Sequence, residues 1–300
     1  VGTAISISVS YICRKGGNIM NVTFVGVGAI GLPMARQIQS VGHHVTGIDI
    51  SEVSRAKAAK YNIVVQPNIK MVAATEVVVV MVATPEQLKQ LIIDAGDTVA
   101  GQTWVIMSTV GPDAVREASQ TLLLAGAKVV DAPVTGGTAR AATGELMIFA
   151  AGKPAEIEKV TPVLSAMGTL CPVGENVGEG QAIKVINQHL CAVHIVAAAE
   201  ALSLAGALGI DPAKVLPLVE KGAAGSWMLS DRGPRMLQDK SVEVTSTINI
   251  FIKDSGLVAE AAKKHQAEVP LLNIAHQRYL KAKELGLELN DDSRVIETWK

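Results

Sequence analysis

An α/β architecture in two halves is what this chain predicts, on three observations. Short apolar runs rich in Val, Ile and Ala alternate with stretches of helical period from residue 20 to about residue 180. From Gly180 onward the strand signals vanish and long Ala- and Leu-rich helices take over. Hydrophobic residues make up 49% of the chain but aromatics only 3%, so the core is built from aliphatic side chains, which suits a parallel sheet covered on both faces.

The first element sits in "NVTFVGVGAIGLPMARQIQ", residues 21–39. Val22, Phe24 and Val25 read as a strand, and Met34, Ala35 and Ile38 recur at helical intervals. Between them Gly26, Gly28 and Gly31 stand in G-x-G-x-x-G spacing around Ala29 and Ile30. In a dinucleotide fold the first glycine permits the turn and the second lets backbone approach a pyrophosphate. The third lets helix pack closely on strand, while free helix N–H groups face the phosphates. A glycine-rich strand–helix turn without a ligand has the same pattern, so the motif alone does not choose.

"HHVTGIDIS" reads as a second strand ending at Asp49, 18 residues beyond Gly31. A dinucleotide fold sets a carboxylate there on the adenosine ribose hydroxyls; the competing reading is a helix N-cap by Asp49 or Ser51. Ile50 and Ser51 follow Asp49 where an Arg would receive a 2′-phosphate, so NAD is expected over NADP. Arg55 is the nearby cation most able to reverse that preference. Further apolar blocks, "VVVVMVAT" (77–84), "TWVIMST" (103–109), "AKVVDAPV" (127–134) and "LMIFAAG" (146–152), complete a Rossmann dinucleotide-binding domain over residues 20–180. Residues 181–300 are expected to form an all-helical domain for substrate and subunit contacts, joined to the first by a long interdomain helix. Helix breaks are expected at 209–212, 222–225 and 233–234.

Composition excludes several function classes. The net charge is −1 with no basic block, which argues against an electrostatic nucleic-acid partner. Cys13, Cys171 and Cys191 form no C-x-x-C pair and fit a reducing compartment, the cytoplasm. With His43, His44, His189, His194, His265 and His276 in no ligand-spaced cluster, no metal site is expected. The most apolar stretch, 185–210, is interrupted by Asn187, Gln188, His189, His194 and Glu200 and reads as a buried helix. Residues 1–19 make a poor signal peptide, since Arg14 and Lys15 follow the apolar part. Lys15, Gly16 and Gly17 can be encoded by a sequence resembling a bacterial ribosome-binding site. The expectation is that Met20 begins the natural chain and that residues 1–19 are translated leader, a disordered tail being the alternative.

Two segments carry candidate chemistry. In "DAPVTGGTARAATGE", Thr135, Gly136 and Gly137 offer a hydroxyl and two backbone N–H groups to a carboxylate, although spacing alone favours an ordinary Gly-Gly loop. In "GQAIKVINQHLCAVHIV", Lys184 shares a helix face with Asn187 and Gln188 at i+3 and i+4. A solvated polar stripe is one reading. The other is a stripe facing a cleft between domains, where a partly dry lysine has a lowered pKa and passes a proton to or from a reacting oxygen.

In order and spacing, "FVGVGAIGLPMA", "STVGP", "DAPVTGGTARAATGEL", "KVINQ" and "FIKDSGL" resemble the β-hydroxyacid dehydrogenases, the 3-hydroxyisobutyrate dehydrogenase family, across residues 20–300. The resemblance implies that Gly26, Gly28, Ala29, Ile30 and Gly31 hold a nicotinamide dinucleotide, with Asp49 on its ribose. Val82, Ala83 and Thr109 would also touch the cofactor, although "MVATP" departs from the Met-Leu-Pro usual there. It further implies that Thr135, Gly136 and Gly137 hold the substrate carboxylate, that Lys184 is the acid/base and that Asn187 is its partner on the substrate. Lys253 would close over nicotinamide and substrate, with Asp254 as a structural support.

"HIVAAAEALSLAGALGIDP" and "AAGSWMLSDRGPRML" look most like the L-threonate dehydrogenase branch, whereas Asn187 with Gln188 resembles tartronate semialdehyde reductases. The implied reaction oxidises a four-carbon 2-hydroxy acid, with Gln188, Ser226 and His189 on its further hydroxyls and Trp227 walling the pocket. An interhelical turn with a core tryptophan is the alternative for "GSWM". Rival functions are tartronate semialdehyde reduction, 3-hydroxyisobutyrate oxidation, and a non-catalytic dinucleotide-binding protein on the same fold. The expected assembly is a homodimer or homotetramer.

Overall fold

A computed structural model describes residues 18–299. The expected leader lies outside the described residues, save for its last two positions. The first half alternates strand and helix: β1 (Asn21–Val25), α1 (Gly31–Ser40), β2 (His44–Ile48), α2 (Glu52–Ala59), β3 (Val64–Gln66), β4 (Val77–Val80), α3 (Pro85–Ala95), β5 (Thr103–Ile106), α4 (Pro112–Leu124) and β6 (Lys128–Asp131). These six strands are parallel in the order β3-β2-β1-β4-β5-β6, the doubly wound arrangement whose ligands bind where strand order reverses. β7 (Val134–Thr135), α5 (Gly137–Thr143), β8 (Leu146–Ala151), α6 (Pro154–Leu164) and β9 (Gly168–Gly174) extend the β6 edge, β8 running antiparallel to β6 and β7 and parallel to β9.

Alternation along each strand fills both faces of the sheet. Val22 and Phe24 of β1 pack with Met34 and Ile38 of α1, while Val25 faces the opposite layer with Val78, Val80, Trp104 and Leu88. β4 is four consecutive valines, all buried, as a central parallel strand requires.

Helices follow: α7 (Glu179–Ala207), α8 (Pro212–Val219), α9 (Trp227–Met236), α10 (Ile248–Lys264) and α11 (Pro270–Glu284), closed by a 3-10 segment, Asp292–Trp299. By length and composition α7 is apolar enough to cross a membrane. Here it is a core helix, touching β6, β7, β8 and β9 at its start and α8 to α11 along its length. Ile195, Ala199 and Leu202 of α7 pack with Phe251 of α10 and Tyr279 of α11, whose hydroxyl donates to the Ala192 carbonyl at 3.0 Å.

Two readings of local pattern are corrected. Residues 233–234 do not break a helix: Gly233 and Pro234 lie inside α9. Tertiary contacts outweigh the local penalty, because a Cβ on Gly233 would meet Leu216 Cδ1 at 2.6 Å, so glycine is what lets α8 approach. The Arg232 guanidinium also grips Asp292 with two bonds, 3.0 and 2.9 Å, and Arg235 pairs with Asp291 at 2.7 Å. β3 and β9 are strands that no apolar run announced. Both are largely half-exposed, which weakens the period-2 signal.

Candidate active site

Around the first turn the three glycines have different physical roles. Gly26 has φ +88°, and a Cβ there would lie 2.3 Å from the Met81 carbonyl oxygen. A Cβ on Gly31 would lie 1.8 Å from the Gly26 oxygen, so helix and strand approach only because both are glycine. A Cβ on Gly28 would meet nothing within 4 Å. The fold needs Gly26 and Gly31, whereas Gly28 keeps space clear at the exposed lip with Ala29. Ile30 begins α1 with no side-chain cap, and no acid lies in the first helical turn. Backbone alone answers this first turn, the Leu32 N–H donating to the Gly28 carbonyl at 3.0 Å, and a glycine lip of this kind fits a dinucleotide pyrophosphate.

Asp49 follows β2, its Oδ1 accepting from the Ser51 N–H at 2.8 Å. Ser51, not Asp49, caps α2, through the Ser54 N–H. Arg55 folds back onto the same loop and donates to the carbonyls of Asp49 (3.0 Å) and Ile50 (2.8 Å). The "MVATP" loop is internally braced: Val82 N–H donates to Ser108 Oγ at 2.7 Å and Ala83 N–H to Gln87 Oε1 at 2.8 Å. Both N–H groups are thus already engaged within the protein.

Lys184 is only 7% exposed, and Gln188 equally so, which removes the solvated-stripe reading. Lys184 Nζ donates to Gln188 Oε1 at 2.7 Å, and Gln188 Nε2 donates to Asp254 Oδ2 at 2.5 Å. That amide orientation is forced, since a carboxylate only accepts and an ammonium only donates. Asp254 Oδ1 pairs with Lys253 Nζ at 2.8 Å, and Lys253 reaches across to the Thr109 carbonyl at 2.7 Å. One polar chain thus runs from the helical half to the end of β5. Asn187 is half-buried beside it, its Nδ2 donating to Gln188 Oε1 (2.9 Å) and to Cys191 Sγ (3.3 Å).

Burial pushes the Lys184 ammonium below the usual lysine range; Asp254 and Cys191 oppose that shift, while Lys253 adds to it. A lysine so placed exchanges a proton more readily near neutral pH than an exposed one.

The remaining expected positions fall as follows. Thr135 ends β7, paired with Met147, and Gly136 and Gly137 turn the chain into α5 with φ +133° and +68°. Ser226 caps α9, its Oγ accepting from the Leu229 N–H at 3.1 Å, which spends one of its two lone pairs. Gln188 is likewise occupied: its amide organises Lys184 and Asp254 rather than facing open space. Trp227 is not a core tryptophan. It is 44% exposed, with the guanidinium carbons of Arg140 and Arg232 5.9 and 5.8 Å from its ring centroid.

Asp131, Gln181 and Arg140 join this region without having been expected there. Gln181 had a signal: it lies three residues before Lys184 on an otherwise apolar helix. Arg140 had none, because its stem packs beside Gly136 (a Cβ there would meet Arg140 Cβ at 2.9 Å) while its head meets Trp227 on another element.

Residues 21–178 match the family described as the NAD-binding domain of 6-phosphogluconate dehydrogenase, and residues 178–299 match the NAD-binding family of NADP-dependent 3-hydroxyisobutyrate dehydrogenase. An L-threonate dehydrogenase of Cupriavidus necator is 31% identical over 92% of this chain and 95% of its own length. That of Escherichia coli K12 is 32% identical over 94% of this chain and 95% of its own. The crystal structure of a 3-hydroxyisobutyrate dehydrogenase from Salmonella typhimurium superposes with a TM-score of 0.87 at 29% identity, covering 93% of this chain and 99% of that one. The glycine cradle, the buried lysine and these relatives agree: the chain belongs to the 3-hydroxyisobutyrate dehydrogenase family and is a hydroxyacid dehydrogenase that uses a nicotinamide dinucleotide.

Proposed function

We propose that this enzyme oxidises L-threonate, or a closely related four-carbon 2-hydroxy acid, to the 2-oxo acid, with NAD preferred over NADP. The observation that carries the reading is Lys184, buried on the helix that joins the two halves and held by Gln188, which Asp254 holds in turn. When bound, the nicotinamide accepts the hydride from the carbinol carbon. The cradle of Gly26, Gly28 and Gly31 holds the pyrophosphate, and Asp49 receives the ribose hydroxyls.

In the oxidative direction neutral Lys184 takes the hydroxyl proton as the oxo group forms; in the reverse direction it returns it. Gln188 keeps the amine aimed by accepting one of its N–H bonds. Thr135, Gly136 and Gly137 hold the carboxylate, and Asn187 orients the reacting oxygen. Lys253, anchored on the Thr109 carbonyl, closes the seam between the halves and excludes water from it.

The four-carbon choice rests on two supports. Relatives named L-threonate dehydrogenase align over more than nine-tenths of the chain. Trp227, with Arg140 beside it, supplies a wall with a donor for the extra hydroxyls of a sugar acid, while Arg232 behind it is committed to Asp292. For the cofactor, the Asp49 carboxylate accepts ribose hydroxyls and repels a 2′-phosphate. Assays of L-threonate, D-erythronate, 3-hydroxyisobutyrate, D-glycerate and tartronate semialdehyde with both cofactors test the reading. The highest kcat/KM is expected for L-threonate with NAD. A higher value for 3-hydroxyisobutyrate or tartronate semialdehyde overturns the substrate, and an equal or higher value with NADP overturns the cofactor. A cytoplasmic homodimer or homotetramer is the proposed setting. Free Cys171 and Cys191 fit a reducing compartment, and exposed Leu218, Leu271 and Ile274 offer apolar surface to a second copy.

A further inference from the structure

Three segments that bear the candidate site meet at one buried point: the loop after β5, the end of β6 and the start of α7. Gln181 is fully buried there, and its amide is saturated. Its Oε1 accepts from the N–H groups of Val110 (3.1 Å) and Gly111 (3.0 Å), and its Nε2 donates to the Ser108 carbonyl and to Asp131 Oδ1, both at 3.0 Å. Asp131, also fully buried, accepts through Oδ2 from the N–H groups of Gly178 (2.9 Å) and Gln181 (3.0 Å). Only a neutral amide of this length supplies two donors and an acceptor with two lone pairs. The fit leaves no slack: a Cβ on Gly180 would lie 2.6 Å from the Phe149 oxygen and 3.0 Å from Asp131 Oδ2.

Gln181, Lys184 and Gln188 stand at i, i+3 and i+7 on α7, one stripe of one rigid helix. Ser108 in turn receives the Val82 N–H, and Thr109 beside it receives Lys253. We propose that Gln181 and Asp131 are positioning residues for proton transfer: they fix the rotation and depth of α7, and so the place of Lys184 relative to the loops that hold cofactor and substrate. A rotation of roughly 15° about the axis moves a side-chain tip about 6 Å from that axis by about 1.5 Å. Misplacement on the order of 1 Å costs about a hundredfold in rate.

The inference rests on Lys184 being the acid/base, so Gln181→Met, Asp131→Asn and Lys184→Ala are compared side by side. Each has its folded fraction counted by stoichiometric cofactor binding. Gln181→Met is expected to lose on the order of 10- to 100-fold in kcat per folded enzyme, with cofactor Kd within about twofold. It also admits water to the start of α7, so the acid limb of the kcat/KM profile moves up, toward the range of an exposed lysine. A merely structural role lowers Tm and the folded fraction but leaves kcat per folded enzyme and the pH profile unchanged; that result overturns the proposal. Should Gln181→Met not fold, Asp131→Asn and Gln181→Asn, which keeps the amide one methylene short, are measured in the same way. A loss of kcat per folded enzyme in them supports the proposal, and an unchanged kcat and pH profile overturns it. Near-normal turnover in Lys184→Ala instead overturns the acid/base reading itself, whatever Gln181→Met does.

Discussion

Helix α1 starts at Gly31 with no side chain on its leading N–H groups and no acid in its first turn, whereas α7 starts with the buried Asp131 carboxylate already on Gly178 and Gln181. Both starts lie on the sheet half, and both carry the partial positive charge of a helix N-terminus. At α1 the first turn is answered by backbone alone, the Leu32 N–H bonding the Gly28 carbonyl, and a Cβ on Gly28 would meet nothing, which under the proposed function keeps the approach of the cofactor clear. At α7 the same kind of donor is consumed internally, by Asp131, on the helix that carries Lys184. Under the proposed function the first end serves a ligand and the second holds a lever. α2 and α3 form a third, ordinary class, capped by Ser51 and Thr84.

Removing what the closed end positions is the severest way to break this contrast. Lys184→Ala is expected to lower kcat by roughly 10²–10⁴ while cofactor affinity, which depends on the open end, stays nearly intact. Steady-state rates beside direct cofactor titration separate the two, and a parallel loss of cofactor binding would merge them.

At the open end, Gly28→Ala is expected to raise the cofactor Kd on the order of tenfold, about 1.4 kcal/mol, with Tm unchanged, since the added methyl meets no protein atom. Gly31→Ala differs in kind: its methyl collides with the Gly26 oxygen, so Tm falls as well. Equal Tm losses in the two variants would show that Gly28, too, serves the fold.

Charge around Lys184 offers a sharper test with a smaller effect. Asp254 raises the Lys184 pKa and Lys253 lowers it. Asp254→Asn should therefore move the acid limb of the oxidative kcat/KM profile to lower pH, and Lys253→Met should move it to higher pH. Shifts of the same sign in both variants would mean that another group governs the limb.

The smallest expected effect concerns the cap on α7. Burial pushes the Asp131 carboxyl up to about 6, against hydrogen bonds from Gln181 and Gly178 that pull it down. The native state thus holds this proton more tightly than the unfolded chain, whose carboxyl titrates near about 4. Its contribution to stability is full below about pH 4 and is lost as pH rises through about 6. The destabilisation caused by Asp131→Asn should then be largest in acid and shrink toward neutrality in urea unfolding. A destabilisation that grows with pH would show the charged carboxylate to be favoured by its surrounding donors.

By itself the sequence determined the order of the two halves, the glycine turn and most of the parallel strands, and it singled out Asp49 at the end of a strand and Lys184 on an apolar helix. Each of these is written in local spacing: runs of valine, a helical period, a carboxylate at the end of a strand. Tertiary structure alone decided which groups those residues meet. Gln188 finds Asp254 66 residues away, Gln181 reaches Ser108 across 73, and Lys253 reaches Thr109 across 144. It also kept Gly233 and Pro234 helical against their own preference and turned Trp227 outward between two arginines. The physical reason is that periodicity reports which face of an element is buried, whereas the partner on that face is chosen by packing between elements far apart in the chain. A polar residue on an apolar helix announces that it needs a partner, and only the folded chain supplies Asp131 for Gln181.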